Sequence, residues 1–294
     1  MKIVCKLSED EFEVKESKII NLNCKKAFKY TFWKQNNIYA EFYKDEAIDM
    51  LYLSLAVFAA DRLILRENGE DAWSREIELY MPVLCVDKWI SCQSLVDEML
   101  SFLTGDRWKI CFRERELTEV EKKAKKKWEK ITEKNVNISR ICMFSGGLDS
   151  CIGALNLLCD KEDASDTFFV SHYGGGKGTV EYQGMLKDAF INRFNVDESN
   201  FVQNYAAIVT KKEDKKEDTT RSRSFMFFSH AIAYASAMDK EIELIIPENG
   251  LISLNIPLAY TRTGTSSTRT THPHYMKMLQ ELIAELGLQV KIKN

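Results

Sequence analysis

Residues 138–158 read ISRICMFSGGLDSCIGALNLL, and this stretch decides the fold. The apolar run from Ile138 to Phe144 predicts a buried strand, and the segment from Ser150 to Leu158 predicts a helix. Between them lie Gly146 and Gly147, which carry no Cβ atom and let the backbone turn tightly. The N–H groups of the turn and of the helix N-terminus then point at a bound anion, which the helix dipole also favours. The stretch therefore predicts a strand–turn–helix unit with an anion site.

The same alternation of strand and helix continues to the end of the sequence. A parallel sheet with helices on both faces is the architecture that such alternation favours. Ligands of these sheets bind beyond the carboxyl ends of the strands. The further predicted strands are Thr167–Ser171, Phe201–Val209, Glu241–Ile246 and a segment beginning at Leu288, and the further predicted helices are Val180–Phe194, Ser224–Met238 and His274–Leu286.

The first part of the chain has a different character. Residues 1–115 predict a smaller α+β domain, with strands at Ala27–Trp33, at Ile38–Tyr43 and at Glu76–Met81, the last ended by Pro82. The long apolar segment Ala47–Ala60 predicts a buried helix that begins at an acidic turn. Residues 116–136 predict a charged helical connector, whose interleaved glutamates favour a solvated helix over an RNA-binding strip. Residues 137–294 form the predicted α/β domain.

Composition excludes some classes of protein and leaves the chemistry open. The 294 residues are 45% hydrophobic and 29% charged with a net charge of -3, so neither nucleic acid nor a membrane surface is an expected partner. No apolar run is long enough to cross a bilayer and the N-terminus has no signal-peptide layout, which predicts a cytoplasmic protein. The eight cysteines include no C-x-x-C pair, so we interpret them as reduced thiols.

Polar side chains of the glycine turn extend the predicted anion site. The hydroxyls of Ser145 and Ser150 are candidate donors to a phosphate group. The Asp149 carboxylate cannot bind phosphate itself, but it can hold magnesium or cap the helix. We therefore assign anion binding to Ser145, Gly146, Gly147 and Ser150, with Asp149 as a candidate magnesium ligand or helix cap. The structural alternative is a serine cap after a glycine turn.

A second glycine-rich segment, Gly174–Thr179, superficially suggests a Walker A loop. That motif needs Ser or Thr directly after its Gly-Lys pair, whereas Gly178 follows Lys177 here, so the Walker interpretation fails. Lys177 remains a candidate catalytic charge, and a plain turn remains the alternative.

Three further segments carry candidate ligand contacts. Arg223 lies at a predicted helix N-terminus, where an arginine is electrostatically unfavourable unless an anion binds there. Glu248 and Asn249 directly follow a predicted strand and face the predicted site, with a polar turn as the alternative. Arg269 and His272 belong to a segment rich in hydroxyl groups that could close over an anion. A zinc pair made of His272 and His274 lacks further ligands.

The loop Ser-Gly-Gly-x-Asp-Ser at Ser145–Ser150 resembles the signature of the PP-loop (N-type) ATP pyrophosphatases. This resemblance implies ATP and Mg²⁺ as cofactors and cleavage of ATP between the α- and β-phosphates. It also implies transfer of AMP to a carbonyl or carboxylate oxygen. The implied fold is a parallel-sheet adenine-nucleotide α-hydrolase-like (Rossmann-like) domain, here preceded by the smaller α+β domain.

From Ile138 to about Tyr275 the sequence resembles the QueC family of deazaguanine nitrile synthases. The start of the predicted helix, Arg223-Ser224-x-x-Phe227, is comparable to that family's Arg-Asn-x-x-Phe. The similarity looks closer to a longer branch, the QatC proteins of the Qat anti-phage operons. The segments that we associate with this branch are Ser171–Lys177, Ile246–Asn255 and Ser267–Pro273.

The resemblance implies an adenylating enzyme that acts on a 7-deazaguanine carboxylate, with ammonia or a partner-protein amine as acceptor and with proteins of a defence operon as partners. It implies catalytic roles for Asp149, Ser150, Lys177 and Arg223. The remaining implied contacts are Ser171, His172 and Tyr173 to the nucleotide, and Glu248, Asn249, Arg269 and His272 to the substrate.

Two departures from the family leave part of this open. The biosynthetic enzymes end in a zinc-binding cysteine cluster that this sequence does not contain, so zinc stays uncertain. Ser224 replaces the family's asparagine, which leaves the substrate open. The alternatives are a nucleotide-gated, non-catalytic subunit of a defence complex and a sulfur-inserting or tRNA-modifying enzyme.

Overall fold

The computed structural model describes residues 1–7, 10–35, 39–69, 74–132, 137–159, 166–174, 177–209, 215–219, 221–250 and 269–293. These residues form an α/β structure with two sheets and helices packed against them.

The strands and helices are numbered in chain order. The strands are β1 (Lys2–Lys6), β2 (Ser17–Asn21), β3 (Phe28–Tyr30), β4 (Glu76–Val83), β5 (Arg107–Glu114), β6 (Arg140–Met143), β7 (Thr167–Tyr173), β8 (Phe201–Ile208), β9 (Ile242–Ile245) and β10 (Val290–Lys293). The helices are α1 (Asp45–Leu63), α2 (Val86–Ser91), α3 (Gln93–Thr104), α4 (Glu119–Glu129), α5 (Leu148–Cys159), α6 (Lys177–Phe194), α7 (Arg223–Ala235) and α8 (Pro273–Glu285).

The first sheet has four parallel strands in the order β2-β1-β4-β5. Its strand β4 runs through Pro82, where the sequence predicted the strand to end. Proline has no N–H to donate, and this is tolerated because β1 pairs with β4 only as far as Tyr80. Pro82 therefore lies where β4 has a neighbour on one side alone.

The second sheet has the order β10-β9-β6-β7-β8-β3. The five strands from β6 to β10 are parallel, and counted in chain order they run 3-2-1-4-5, the order of doubly wound sheets. The strand order reverses between β6 and β9, and in such sheets ligands bind beyond the carboxyl ends of the strands at this point. The predicted parallel sheet is therefore confirmed for the described residues.

The two sheets share helix α1, which lies in the middle of the molecule. This helix is buried along most of its length, as its uniformly apolar sequence predicted. It packs on α7 and also contacts β4 and β8, so one continuous core joins residues from both sheets. The edge strand β3 comes from the first part of the chain and pairs antiparallel with β8. The N-terminal region is thereby built into the second sheet.

One predicted strand is wrong. Residues 39–43 of the predicted strand Ile38–Tyr43 form no strand, and the rest lies outside the described residues. Tyr39 and Tyr43 instead pack their rings against Tyr234 of α7, with centroids 5.8 and 6.4 Å apart. Aromatic residues favour strands only when a pleated surface is available to them, and here packing on a helix takes precedence. The predicted strand Ala27–Trp33 is likewise shortened to β3, followed by a 3-10 turn.

The charged connector forms the predicted helix α4. Thr118 and Glu121 cap its first turn reciprocally, since each side chain bonds the other residue's backbone N–H. Among the described residues, none of the helices is long and apolar enough to span a membrane.

Candidate functional site

The glycine turn connects β6 to α5 at the point where the strand order reverses. Gly146 has a φ of 87°, a left-handed conformation that disfavours residues with a side chain. A Cβ atom added to Gly146 would lie 2.9 Å from Cγ of Gln183 on α6. Gly146 therefore meets two separate requirements, a backbone conformation and a close approach between elements.

Hydroxyl groups hold the turn from inside. Ser145 Oγ donates to Ser150 Oγ at 3.1 Å and accepts from the N–H of Gly147 at 3.3 Å. Ser150 is buried, and its hydroxyl donates to the carbonyl of Gly147 at 2.9 Å. In this arrangement the Ser150 side chain stabilises the loop, and its hydroxyl proton is already used in the hydrogen bond to Gly147.

Asp149 is placed differently from the serines of the loop. It lies in the first turn of α5 and is exposed. Its carboxylate forms no hydrogen bond or ion pair with the described residues. Asp149 is thus available to a ligand at the mouth of the loop.

Two side chains outside the motif support the loop. Gln183 is buried on α6, and its Nε2 donates to the carbonyls of Ser145 at 2.8 Å and His172 at 3.1 Å. Ser171 on β7 donates its hydroxyl to the carbonyl of Phe144 at 2.6 Å. Ser171, predicted to contact the nucleotide, is therefore committed to the backbone that leads into the loop. Gln183 was not among the predicted residues.

A cavity of about 270 Å³ opens beside the loop, between the carboxyl ends of β6 and β9. Residues that lie far apart in the sequence line this cavity together. Its described lining residues are Met143, Ser145, Ser150, Arg223, Ser224, Phe227, Phe228, Ile246, Pro247, Glu248, Thr270 and Thr271. The predicted residues Ser145, Ser150, Arg223 and Glu248 therefore meet at one site.

A second cavity, of about 430 Å³, lies on the other side of Arg223. It is bounded by the carboxyl ends of β7 and β8 and by α1. Arg62, Lys216 and Arg223 contribute its charged groups, and His172 contributes an imidazole. Arg223 is the residue common to both cavities among the described lining residues.

Two buried histidines lie near this cavity. His172 is 1% exposed, and neither of its ring nitrogens has a hydrogen-bond partner among the described residues. Burial lowers its pKa well below the usual value, and His230 and Arg223 lower that pKa further. The pKa of His230, whose ring lies 6.1 Å from that of His172, is lowered to about 4 by burial. Both imidazoles are neutral at pH 7.

Helix α7 presents Arg223 from a start that α1 holds in place. Asp61 of α1 accepts hydrogen bonds at one oxygen from both the hydroxyl and the N–H of Ser222, at 2.8 and 3.3 Å. The other oxygen of Asp61 lies 2.5 Å from Arg75 Nη2, in a buried ion pair. Burial lowers the pKa of Arg223, and the neighbouring charge of Arg62 lowers it further. No hydrogen bond or ion pair joins the Arg223 guanidinium to another described residue.

The structure places other predicted residues away from the two cavities. Arg269 donates to the carbonyl of Phe102 on α3 at 2.5 Å, and its guanidinium lies 5.0 Å from the centroid of that ring. His272 caps α8 by accepting a hydrogen bond from the N–H of His274 at 3.2 Å. Both side chains are engaged with neighbouring residues, although Thr270 and Thr271 between them line the first cavity, and the contact of Arg269 and His272 with a substrate stays a prediction.

Of the remaining predicted residues, Tyr173 and Asn249 are not among the described lining residues of either cavity. Tyr173 ends β7 and packs its ring 5.1 Å from that of Tyr205. Glu248 accepts a hydrogen bond from the N–H of Asn249, which is exposed beside the first cavity. Lys177 is the first residue of α6, and its side chain lies outside the described residues. Residues 251–255 and 267–268 of the segments associated with the family branch lie outside them as well.

The side chains near the loop are suited to a metal ion that is bound jointly by the protein and by the phosphate groups of a ligand. Within the described ranges, no cluster of three or more histidine, cysteine or carboxylate side chains could hold a metal ion. Magnesium is commonly bound through one or two carboxylates together with substrate phosphates and water. The exposed Asp149 carboxylate beside the Gly146 turn fits that mode of binding.

Comparison with known proteins was made with protein-family models, with curated proteins and with solved structures, and none of the three gave a significant match.

Proposed function

We propose that this protein is an ATP-dependent adenylating enzyme of the PP-loop ATP pyrophosphatase class, with an adenine-nucleotide α-hydrolase-like second domain. The observation that carries the proposal is the Ser145–Ser150 loop, which connects a central strand to a helix where the strand order reverses. Its Gly146 adopts a φ of 87°, which lets the backbone turn tightly where the strand leads into the helix, and a helix N-terminus favours a bound anion. The loop opens onto a cavity that an enzyme of this class would fill with the β- and γ-phosphates.

The proposed substrate is the carboxylate of a 7-deazaguanine, in line with the QueC-like sequence segments. A carboxylate oxygen attacks the α-phosphorus of ATP, the bond to the β-phosphate oxygen breaks, and pyrophosphate leaves with its electron pair. An amine nitrogen then attacks the acyl carbon of the acyl-adenylate, and AMP leaves as the amine loses a proton. Arg223 lines the cavity beside the loop, where a guanidinium stabilises charge that develops on the phosphates.

Mg²⁺ bound at Asp149 would supply electrostatic stabilisation of the leaving pyrophosphate. The Asp149 carboxylate is exposed at the first turn of α5, and the Ser145 hydroxyl lies in the same loop. Both groups belong to the loop that is proposed to bind phosphate.

The proposed acceptor is ammonia or the amine of a partner protein from a defence operon. Apolar side chains beside the loop favour the partner protein. Leu148 and Ile152 of α5 are 74% and 47% exposed, and Tyr182 and Met185 of α6 are 64% and 67% exposed. Large apolar side chains grouped at the surface commonly mark interaction sites. The same observation favours the second candidate function, a nucleotide-gated subunit that assembles with partners and does not turn ATP over.

Cys142, one of the thiols near the loop, is unsuited to sulfur transfer. Such transfer requires a reactive thiolate, and burial raises the pKa of Cys142, at the end of β6, to about 12. A thiol with that pKa stays protonated at neutral pH.

The test measures AMP and pyrophosphate released from α-labelled ATP and magnesium, with and without the carboxylated deazaguanine. An adenylating enzyme releases both products in a substrate-dependent manner, and Asp149→Asn abolishes the release. Asp188→Asn, an exposed carboxylate on α6, is the matched control and should act like the wild-type protein. ATP that binds but stays intact, even with partner proteins added, would overturn the enzymatic proposal in favour of nucleotide-gated assembly.

A further inference from the structure

The larger of the two cavities has an excess of positive charge. Arg62, Lys216 and Arg223 line it, and none of its described lining residues is acidic. Arg62 belongs to α1 and is oriented by a hydrogen bond of 3.2 Å from Nη1 to the carbonyl of Thr219. Three cationic side chains thus face one space that contains no counter-charge from the described residues.

The two arginines of this cavity repel each other. The positive charge of Arg62 lowers the pKa of Arg223, in addition to the larger effect of burial. Holding like charges close together in a partly buried space is unfavourable unless an anion is present. The arrangement is therefore complementary to a negatively charged ligand.

His172 provides an independent indication that a ligand binds. Its side chain lines the cavity, it is 1% exposed, and both ring nitrogens lack a partner among the described residues. Buried polar groups in proteins are nearly always hydrogen-bonded, so an imidazole without partners indicates that a ligand or ordered water completes it. Because its pKa is lowered well below the usual value, the ring is neutral and offers one donor and one acceptor.

We propose that this cavity binds the phosphate group of a small molecule, with Arg62, Lys216 and Arg223 as cationic ligands and His172 as a neutral hydrogen-bonding partner. Three cations suit a multiply charged anion, and the guanidinium fork matches the geometry of phosphate oxygens. Phe58, Tyr205 and Ile208 give the cavity an apolar wall for the organic part of the ligand. Its volume of about 430 Å³ lies in the range of small-molecule sites.

This phosphate belongs to a molecule other than the ATP at the glycine loop. None of residues 145–150 lines the cavity among the described residues, whereas Ser145 and Ser150 line the smaller one. Arg223 lies between the two spaces and can sense occupancy of both. The proposal does not require ATP cleavage, so it can fail or succeed independently of the proposed function.

The experiment is calorimetric titration of the full chain with inorganic phosphate, in the presence of magnesium and a saturating non-hydrolysable ATP analogue. The analogue fills the loop, so the phosphate that still binds reports the second site. We expect Arg62→Gln and Lys216→Gln each to weaken phosphate binding about tenfold, the loss of one charge-assisted hydrogen bond. Arg62→Lys keeps the charge and loses the guanidinium fork, so it should weaken phosphate binding less than Arg62→Gln does. Lys215→Gln is the matched control, because Lys215 pairs with Glu67 and does not line the cavity.

Three results would overturn the proposal. The first is a wild-type chain that binds no phosphate, and the second is binding that disappears when the analogue is added, which would assign the phosphate to the nucleotide itself. The third is unchanged affinity in Arg62→Gln and Lys216→Gln. Thermal unfolding checks that the variants fold. If Arg62→Gln does not fold, Lys216→Gln alone tests the proposal, because Lys216 is exposed and its replacement should not disturb the fold.

Discussion

Asp61 Oδ2 lies 2.8 Å from Ser222 Oγ, in a buried hydrogen bond that joins α1 to the residue directly before α7. Since Arg223 is the next residue, this bond fixes where the guanidinium enters the two cavities. The opposite oxygen of Asp61 is paired with Arg75, which in turn pairs with Asp106 at 2.6 Å. A buried charge network of the N-terminal region thus positions an arginine of the candidate site.

The first prediction follows from this network. Asp61→Asn removes one charge from a buried pair and leaves Arg75 only partly compensated, and we expect the free energy of unfolding to fall by about 3–5 kcal/mol. Ser222→Ala removes only the hydroxyl and should cost about 1–2 kcal/mol. Urea denaturation measures both changes. If the two variants lose the same small amount, the Asp61 charge does not hold the start of α7.

The second prediction concerns Gly146. Gly146→Ala places a Cβ atom 2.9 Å from Cγ of Gln183 at a φ of 87°. We expect at least a roughly tenfold loss of ATP affinity, because about 1–3 kcal/mol of backbone strain would shift the loop away from its binding conformation. Nucleotide titration measures the affinity.

Gly184→Ala is its matched control. Gly184 lies one residue beyond Gln183 on α6, and an added Cβ atom would meet no neighbour within 4 Å. The substitution should leave ATP affinity unchanged and stabilise the helix by about 0.5–1 kcal/mol. Equal ATP affinity of Gly146→Ala and Gly184→Ala would contradict a phosphate-binding role of the turn.

The third prediction concerns Gln183, which joins the loop to β7. Gln183→Met keeps the size of the side chain and removes the hydrogen bonds to the carbonyls of Ser145 and His172. The buried carbonyl of His172 and the carbonyl of Ser145 then lose a donor, which should lower the free energy of unfolding by about 1–3 kcal/mol and weaken ATP binding. Gln203→Met removes only the neighbouring bond to Gln183 Oε1 and should preserve most of the affinity. A Gln183→Met protein with wild-type affinity would mean that the loop keeps its shape without this support.

Local sequence patterns predicted the elements whose formation depends on local chemistry. The apolar run of β6, the glycine turn and α5 are consecutive in the chain, and the Thr118–Glu121 capping box spans a single helical turn. β5 was not predicted, although Arg107–Glu114 alternates exposed and buried residues at its start, the pattern of a half-buried strand.

Contacts distant in the sequence could not be predicted in the same way. β3 pairs with β8 across more than half of the chain, and no local pattern specifies that partner. Arg62 lies beyond the end of the predicted helix Ala47–Ala60, yet the packing of α1 on α7 brings it to the same cavity as Arg223. Arg269 and His272 were chosen for their chemistry, which the structure uses for contacts with α3 and for a helix cap.

The fourth prediction concerns pH and His230. The Nδ1 of His230 lies 2.7 Å from the carbonyl of Met226, and its buried Nε2 has no partner among the described residues, so a charged ring would be poorly solvated. The pKa is lowered to about 4 in the folded protein from 6.5. Between these values the unfolded chain takes up a proton that the folded protein does not. The contribution of His230 to the free energy of unfolding is therefore fully present above about pH 6.5. It decreases as the pH falls toward 4, by about 3 kcal/mol in total.

His230→Phe tests this sign, because it fills a similar volume and cannot bind a proton. Urea denaturation of both proteins between pH 4 and 7 gives the difference in free energy of unfolding at each pH. His172 stays in both proteins, and because His230 lowers the pKa of His172, the difference reports His230 together with its effect on His172. We expect the free energy of unfolding of the variant, measured relative to that of the wild-type protein, to increase steadily as the pH falls below about 6.5. Parallel profiles would mean that the folded protein accommodates a charged His230, and the absence of a partner at Nε2 would then have to be explained by water.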